Sequence, residues 1–161
     1  MKPPRFLDTK GLTLVELLIS LVILSVLASA VLPLSQMTVK RSKELELRRN
    51  LRILRTAIDQ FKKDWDDRKI AHSAGNVADA ETGYPKTLEV LVAGSPGAAE
   101  GSPAFKYLRR ILRDPLTASS DWGLRCYEDS GDSKVWCGRN VYDVYTRSED
   151  SAMDGTRYAE W

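Results

Sequence analysis

From Leu12 to Leu34 the chain is apolar almost without interruption, broken only by Thr13, Glu16, Ser20, Ser25 and Ser29. A run of about 20 such residues is long enough to cross a bilayer as a helix. Before it lies a short basic stretch with Lys2, Arg5 and Lys10, ending at Gly11. Three readings fit this layout. The run could be a plain membrane anchor. It could be a secretory signal peptide, with Ala28-Ser29-Ala30 matching the small-residue cleavage pattern. Or residues 1–11 are a leader removed after Gly11, leaving an apolar helix with a carboxylate, Glu16, at its fifth position.

Glu16 separates the three. An acidic side chain at the centre of a membrane helix costs about 2.5–3.5 kcal/mol on insertion scales, and less near an end. An anchor or a signal peptide gains nothing in return. A subunit whose helices pack together in a filament does gain. If the chain is cut after Gly11, Leu12 carries a new positive α-amine, and Glu16 of a neighbouring subunit can neutralise it. The first helical turn also favours negative charge through the helix dipole.

Gly11-Leu12-Thr13-Leu14-Val15-Glu16-Leu17-Leu18 resembles the prepilin peptidase motif of type IV pilins and pseudopilins. That resemblance implies a membrane-bound aspartyl peptidase that cuts after Gly11 on the cytoplasmic side and methylates Leu12. It implies that Glu16 is the assembly glutamate. Pro33 matches a proline found in the membrane helix of that family, where it kinks or locally melts the helix. The family's usual first residue is Phe, so Leu12 departs from its pattern. Flanking charge gives a different signal: Lys40, Arg41, Lys43, Arg48 and Arg49 follow the run, so the positive-inside rule does not itself place the N-terminus in the cytoplasm.

Beyond Pro33 a helical stripe continues through Leu47, Leu51, Leu54, Ile58, Phe61 and Trp65, stepping by four and three. Arg48, Arg49, Arg52, Arg55, Lys62 and Lys63 lie mostly off it. A basic face of this kind would suit DNA, but Glu44, Glu46 and Asp59 dilute it, which argues against nucleic acid. The formal charge of +2 arises entirely before Leu12, so the rest of the chain is balanced. The division expected is a leader over 1–11, a transmembrane or filament-core helix over 12–34, its amphipathic continuation over 35–66, and a periplasmic head over 67–161.

In the head, Gly83-Tyr84-Pro85 and Gly94-Ser95-Pro96-Gly97 mark turns. Thr87–Val92 and Phe105–Leu112 read as short helices. Trp122–Tyr127, Lys134–Cys137 and Val141–Tyr145 read as antiparallel strands separated by turns at 130–132 and 138–140. The expected fold is α+β, a pilin fold: one long N-terminal helix packed on a small antiparallel sheet. Cys126 and Cys137 are the only cysteines. They lack zinc-type spacing and suit a disulfide if the head lies outside the cytoplasm; free thiols are the alternative. A bridge would clip the first two strands. Apart from His72, which has no partner in the sequence pattern, there is no histidine, and no nucleophile set, metal cluster or phosphate loop points to an enzyme.

Tyr107-Leu108-Arg109-Arg110, Asp114-Pro115-Leu116-Thr117, Asp121-Trp122-Gly123, Asn140 to Tyr145 and Asp154 to Trp161, with Gly83-Tyr84-Pro85, resemble the head of the major (G-type) pseudopilin of type II secretion. The resemblance implies a structural subunit of a periplasmic filament in protein secretion, polymerised with copies of itself and with minor pseudopilins. It implies as partners prepilin peptidase and an inner-membrane assembly platform, and as location the inner membrane with the head in the periplasm. A pilus or minor pilin serving adhesion, motility or DNA uptake is the alternative. Many major pseudopilins bind Ca²⁺ in the loop after the last strand. Here that loop holds Ser148, Glu149, Asp150, Ser151 and Asp154, with Asp150 and Asp154 the ligands expected if a site exists. The longer glycine- and aspartate-rich loop of calcium-binding members is missing, and a solvated acidic turn is the other reading.

Overall fold

A computed structural model describes residues 11–161 except Ala74 and Glu100, and for residues 30–34 gives the backbone alone. The chain divides into two units, the second beginning at Lys40. One helix, α1, runs through Leu14–Asp66. In the first unit its apolar side chains are exposed, with Leu14 at 74%. The hydroxyls of Ser20, Ser25 and Ser29 donate to the helix's own carbonyls at Glu16, Val22 and Val26. These three hydroxyls are thereby satisfied within the helix itself. The kink expected at Pro33 lies outside the described side chains.

In the second unit the expected stripe is the core. Leu47, Leu54, Ile58 and Phe61 are fully buried, and Leu51 and Trp65 nearly so. Burying a large aliphatic or aromatic side chain contributes roughly 1.5–3 kcal/mol, so this helical face organises everything that packs on it. Residues 67–122 wrap it as loops joined by single bridges, Ile70 with Gly97, Ala78 with Pro85 and Ser95 with Phe105. A short helix, α2 (Leu88–Ala93), buries Leu88 and Leu91 in the same core cluster, close to the expected 87–92.

The helix expected over Phe105–Leu112 does not form. The Phe105 N–H bonds to the Ser95 carbonyl, and those of Tyr107 and Leu108 to the Leu91 carbonyl. These tertiary bonds place the Tyr107 ring edge-on against Phe61, centroids 5.5 Å apart. Packing on α1 thus overrides the local helical pattern.

The sheet has two strands, β1 (Gly123–Arg125) and β2 (Asp143–Tyr145), paired antiparallel with Gly123 opposite Tyr145. Gly123 is required there: a β-carbon would lie 2.3 Å from the Tyr145 ring. The third expected strand, Lys134–Cys137, is absent. Ser133 closes a local turn with Val135 through both its hydroxyl bonds, and Val135 is 78% exposed. The Trp136 indole donates to the Asn140 carbonyl at 2.7 Å. The segment therefore belongs to the loop between β1 and β2.

Cys126 and Cys137 are joined by a disulfide, with α-carbons 6.0 Å apart. It ties the residue after β1 to that loop, rather than clipping two strands together.

Candidate processing and assembly site

Residues 11–13 precede the helix in open backbone. Nothing lies within 4 Å of where a β-carbon on Gly11 would be, and Leu12 is 74% exposed. Among the described residues, nothing packs against the Gly11–Leu12 peptide bond in a way that would obstruct a peptidase. Thr13 caps the helix: its hydroxyl accepts the Glu16 N–H at 3.2 Å, and its carbonyl accepts the Leu17 N–H at 3.1 Å. Glu16 thus occupies the third helical position, where a Thr-x-x-Glu pair forms a capping box.

This cap is a role the sequence reading missed, although the spacing of Thr13 and Glu16 signals it. It places Glu16 where a carboxylate can serve the start of its own helix. The sequence from 11 to 16 therefore sets three things together: an accessible bond, a capped helix start, and a carboxylate one turn in.

Residues 8–32 match the family model described as the prokaryotic N-terminal methylation motif. The chain carries a prokaryotic N-terminal methylation motif. No curated protein and no solved structure matches it. The methylation motif is a type IV pilin-like signal, and it supports a pilin-like subunit. It starts ahead of α1 and extends well into that helix's apolar half. Among the described residues no helix is long and apolar enough to cross a membrane; the expected span over 12–34 includes residues 30–34, whose side chains are outside the described set.

At the other end of the chain, the structure fixes the acidic loop through α1. Asp154 Oδ1 accepts from the Thr156 hydroxyl at 2.6 Å and its N–H at 2.9 Å. Asp154 Oδ2 lies 3.7 Å from an Arg48 nitrogen. The Thr156 hydrogen bonds, and then Arg48, hold the Asp154 carboxyl below the usual carboxylate range. Asp150 interacts with Ser148.

Glu44 Oε1 accepts the Met153 N–H at 2.9 Å and the Tyr158 hydroxyl at 2.8 Å. Burial first, and then the bond to Glu44, push the Tyr158 phenol up to about 12. The Arg48 guanidinium lies 4.0 Å from the centre of the Trp161 ring. Arg55 donates to Asp143, the Val144 carbonyl and the Trp161 carbonyl. Contacts spanning 114 positions, as between Glu44 and Tyr158, leave no local sequence signal.

Ca²⁺ takes 6–8 oxygen ligands at short range. Among the described residues, the one convergent group of three potential ligands is Cys126, Glu128 and Cys137, whose sulfurs are already joined in the disulfide. Asp150 and Asp154 are not drawn into such a group, and the oxygens of Asp154 are engaged by Thr156 and Arg48. His72 stacks on Trp65 at 4.0 Å, and its Nε2 lies 2.9 Å from the Trp65 carbonyl, a packing role.

Proposed function

We propose that the chain is a structural subunit of a periplasmic pseudopilus of a type II secretion system. It is cut after Gly11, methylated on Leu12 and polymerised through α1. The observation that carries the proposal is the methylation motif over residues 8–32, with Glu16 in the first turn of a helix whose apolar side chains from Leu14 to Leu27 are exposed among the described residues. A face of that kind needs lipid or other copies of the same helix to cover it. Heterologous contacts between such helices do not close and so generate a helical polymer. The resemblance of the head segments to the major pseudopilin favours secretion over a pilus for adhesion or DNA uptake. On this reading the subunit sits in the inner membrane before assembly, with its head in the periplasm and its disulfide formed there.

The mass of the N-terminal peptide from membrane-extracted protein tests the first part. It is expected to begin at N-methylated Leu12. A start at Val31 would mean release by signal peptidase and would overturn the proposal, because Glu16 would be discarded. Deleting the gene should abolish export of folded substrates and leave DNA uptake intact; the reverse pattern favours the pilus.

We further propose that the clasp of Glu44, Arg48 and Arg55 stiffens the C-terminal loop in place of a divalent cation. The thermal midpoint of the protein should then agree within about a degree between EGTA and millimolar CaCl₂, since a ligand that does not bind the native state adds no stability. A rise of several degrees in calcium would restore the metal site at Asp150 and Asp154.

A further inference from the structure

The loop between β1 and β2 presents aromatic rings to solvent on a fixed frame. Tyr84, Tyr127 and Tyr142 are mutually packed, with centroids 5.1–5.7 Å apart. Tyr127 is nevertheless 58% exposed and Tyr142 44%. Their backbones are held: the Val141 N–H bonds to the Pro85 carbonyl and the Tyr142 N–H to the Arg125 carbonyl, each at 2.8 Å. The Tyr127 N–H bonds to Asn140 Oδ1 at 3.0 Å, and fully buried Asn140 donates in turn to Asp79. The disulfide sits one residue before Tyr127. Rigid exposed aromatics bind at low entropic cost, which is why they recur at interfaces.

Tyr84 and Tyr127 line a cleft of 430 Å³ with Lys62, Glu81, Thr82 and Glu128. Its surroundings carry excess negative charge. Glu81 and Glu128 line it, and Asp59 and Asp66 act on Tyr84 through space. Against them stand Lys62, held by Asp66, and Arg139, which lies 3.2 Å from Glu128. Lys62 already lies 5.7 Å from the centre of the Tyr84 ring. Aromatic faces flanked by carboxylates recognise a cationic side chain.

The complement is on the same chain. Arg41, Lys43, Arg49 and Arg52 lie exposed on α1, and among the described residues none of them is in an ion pair. Lys62, beside the cleft, stands roughly 15–20 Å further along the helix than Arg49 and Arg52, at 1.5 Å per residue. Head-to-tail polymerisation needs two different surfaces at different heights on one subunit, and the cleft and the arginines are such a pair.

We propose that the Tyr84–Tyr127 cleft receives Arg49 or Arg52 of a second copy of this chain. The proposal rests on the filament reading above and identifies which surfaces of the heads meet. It is tested in the full chain, expressed in its secretion host, by counting sheared filament against total subunit. Glu81→Lys with Glu128→Lys, and separately Arg49→Glu with Arg52→Glu, should each lower filament yield about tenfold. Cleavage after Gly11 should stay complete. The four substitutions together should recover yield to within about twofold of wild type, because the attraction is restored with reversed sign.

Absence of recovery in the combined variant overturns the proposal. So does a Tyr127→Ala chain that polymerises like wild type. If Tyr127→Ala blocks export while filaments stay normal, the cleft binds a secreted substrate, and the proposal also fails. A wild-type chain that is cleaved but never polymerises fails the filament reading itself, a result distinct from these.

Discussion

Glu16→Ala is expected to be cleaved after Gly11 at the wild-type rate and to lose at least about 90% of its filament, the tenfold loss that 1.4 kcal/mol at a repeated contact produces. The bond to be cut lies between Gly11 and Leu12, in open backbone before the helix begins, and Leu12 is exposed. The loss has two candidate causes, and the structure shows how to separate them. Thr13 accepts the Glu16 N–H, so Glu16 sits where a capping-box carboxylate helps start the helix, worth about 0.5–2 kcal/mol for a cap as a whole. Glu16→Gln keeps a side chain able to close that box and removes only the charge. If charge neutralisation of a neighbour's α-amine is the cause, Gln must fail as badly as Ala. Filament yield restored by Gln would assign Glu16 to helix initiation and remove the electrostatic account of assembly. Quantifying sheared filaments beside the N-terminal peptide mass reads both steps in one preparation.

Cys126→Ser with Cys137→Ser is expected to cost the head about 3 kcal/mol, the value for closing a loop of this size. That would lower its thermal midpoint by roughly 10–20 °C for a domain of about 100 residues. The sheet offers little to compensate, since β1 and β2 hold three residues each. The loop between them keeps its form through side-chain bonds, such as that of Trp136 to Asn140, rather than through a ladder. Melting the full-length protein in detergent with and without reductant should show the same drop. A shift under about 2 °C would mean that the Asn140 network alone holds the loop.

The sequence announced the parts governed by period and by local chemistry. The stripe from Leu47 to Trp65 is buried as its spacing implied, because helical period and burial express the same geometry. The methylation motif was equally legible, since its residues are contiguous in the chain, whereas the Thr13 cap was not read although its spacing from Glu16 signals it. The misread segments are those where non-local partners decide. Phe105–Leu112 has helical periodicity, but its N–H groups go to Ser95 and Leu91. Lys134–Cys137 has strand composition, but no strand beside it to pair with. The clasp of Glu44 on Met153 and Tyr158 could not be read at all. One glutamate among several on a charged helix face carries no mark of which distant hydroxyl it will meet.

The face of α1 between Glu44 and Trp65 has a practical meaning for how the protein can be divided. It is the floor of the head, not a stalk beneath it: remove it, and Leu88, Leu91, Val141 and Val144 lose the surface they pack on. The boundary between the exposed apolar stretch and the packed head therefore does not coincide with the end of the helix. It falls before Glu44, close to Lys40, where the second unit begins. A secreted fragment cut there keeps both clasp and core, whereas one cut after Arg55 leaves loops and a two-stranded ribbon with nothing to fold against.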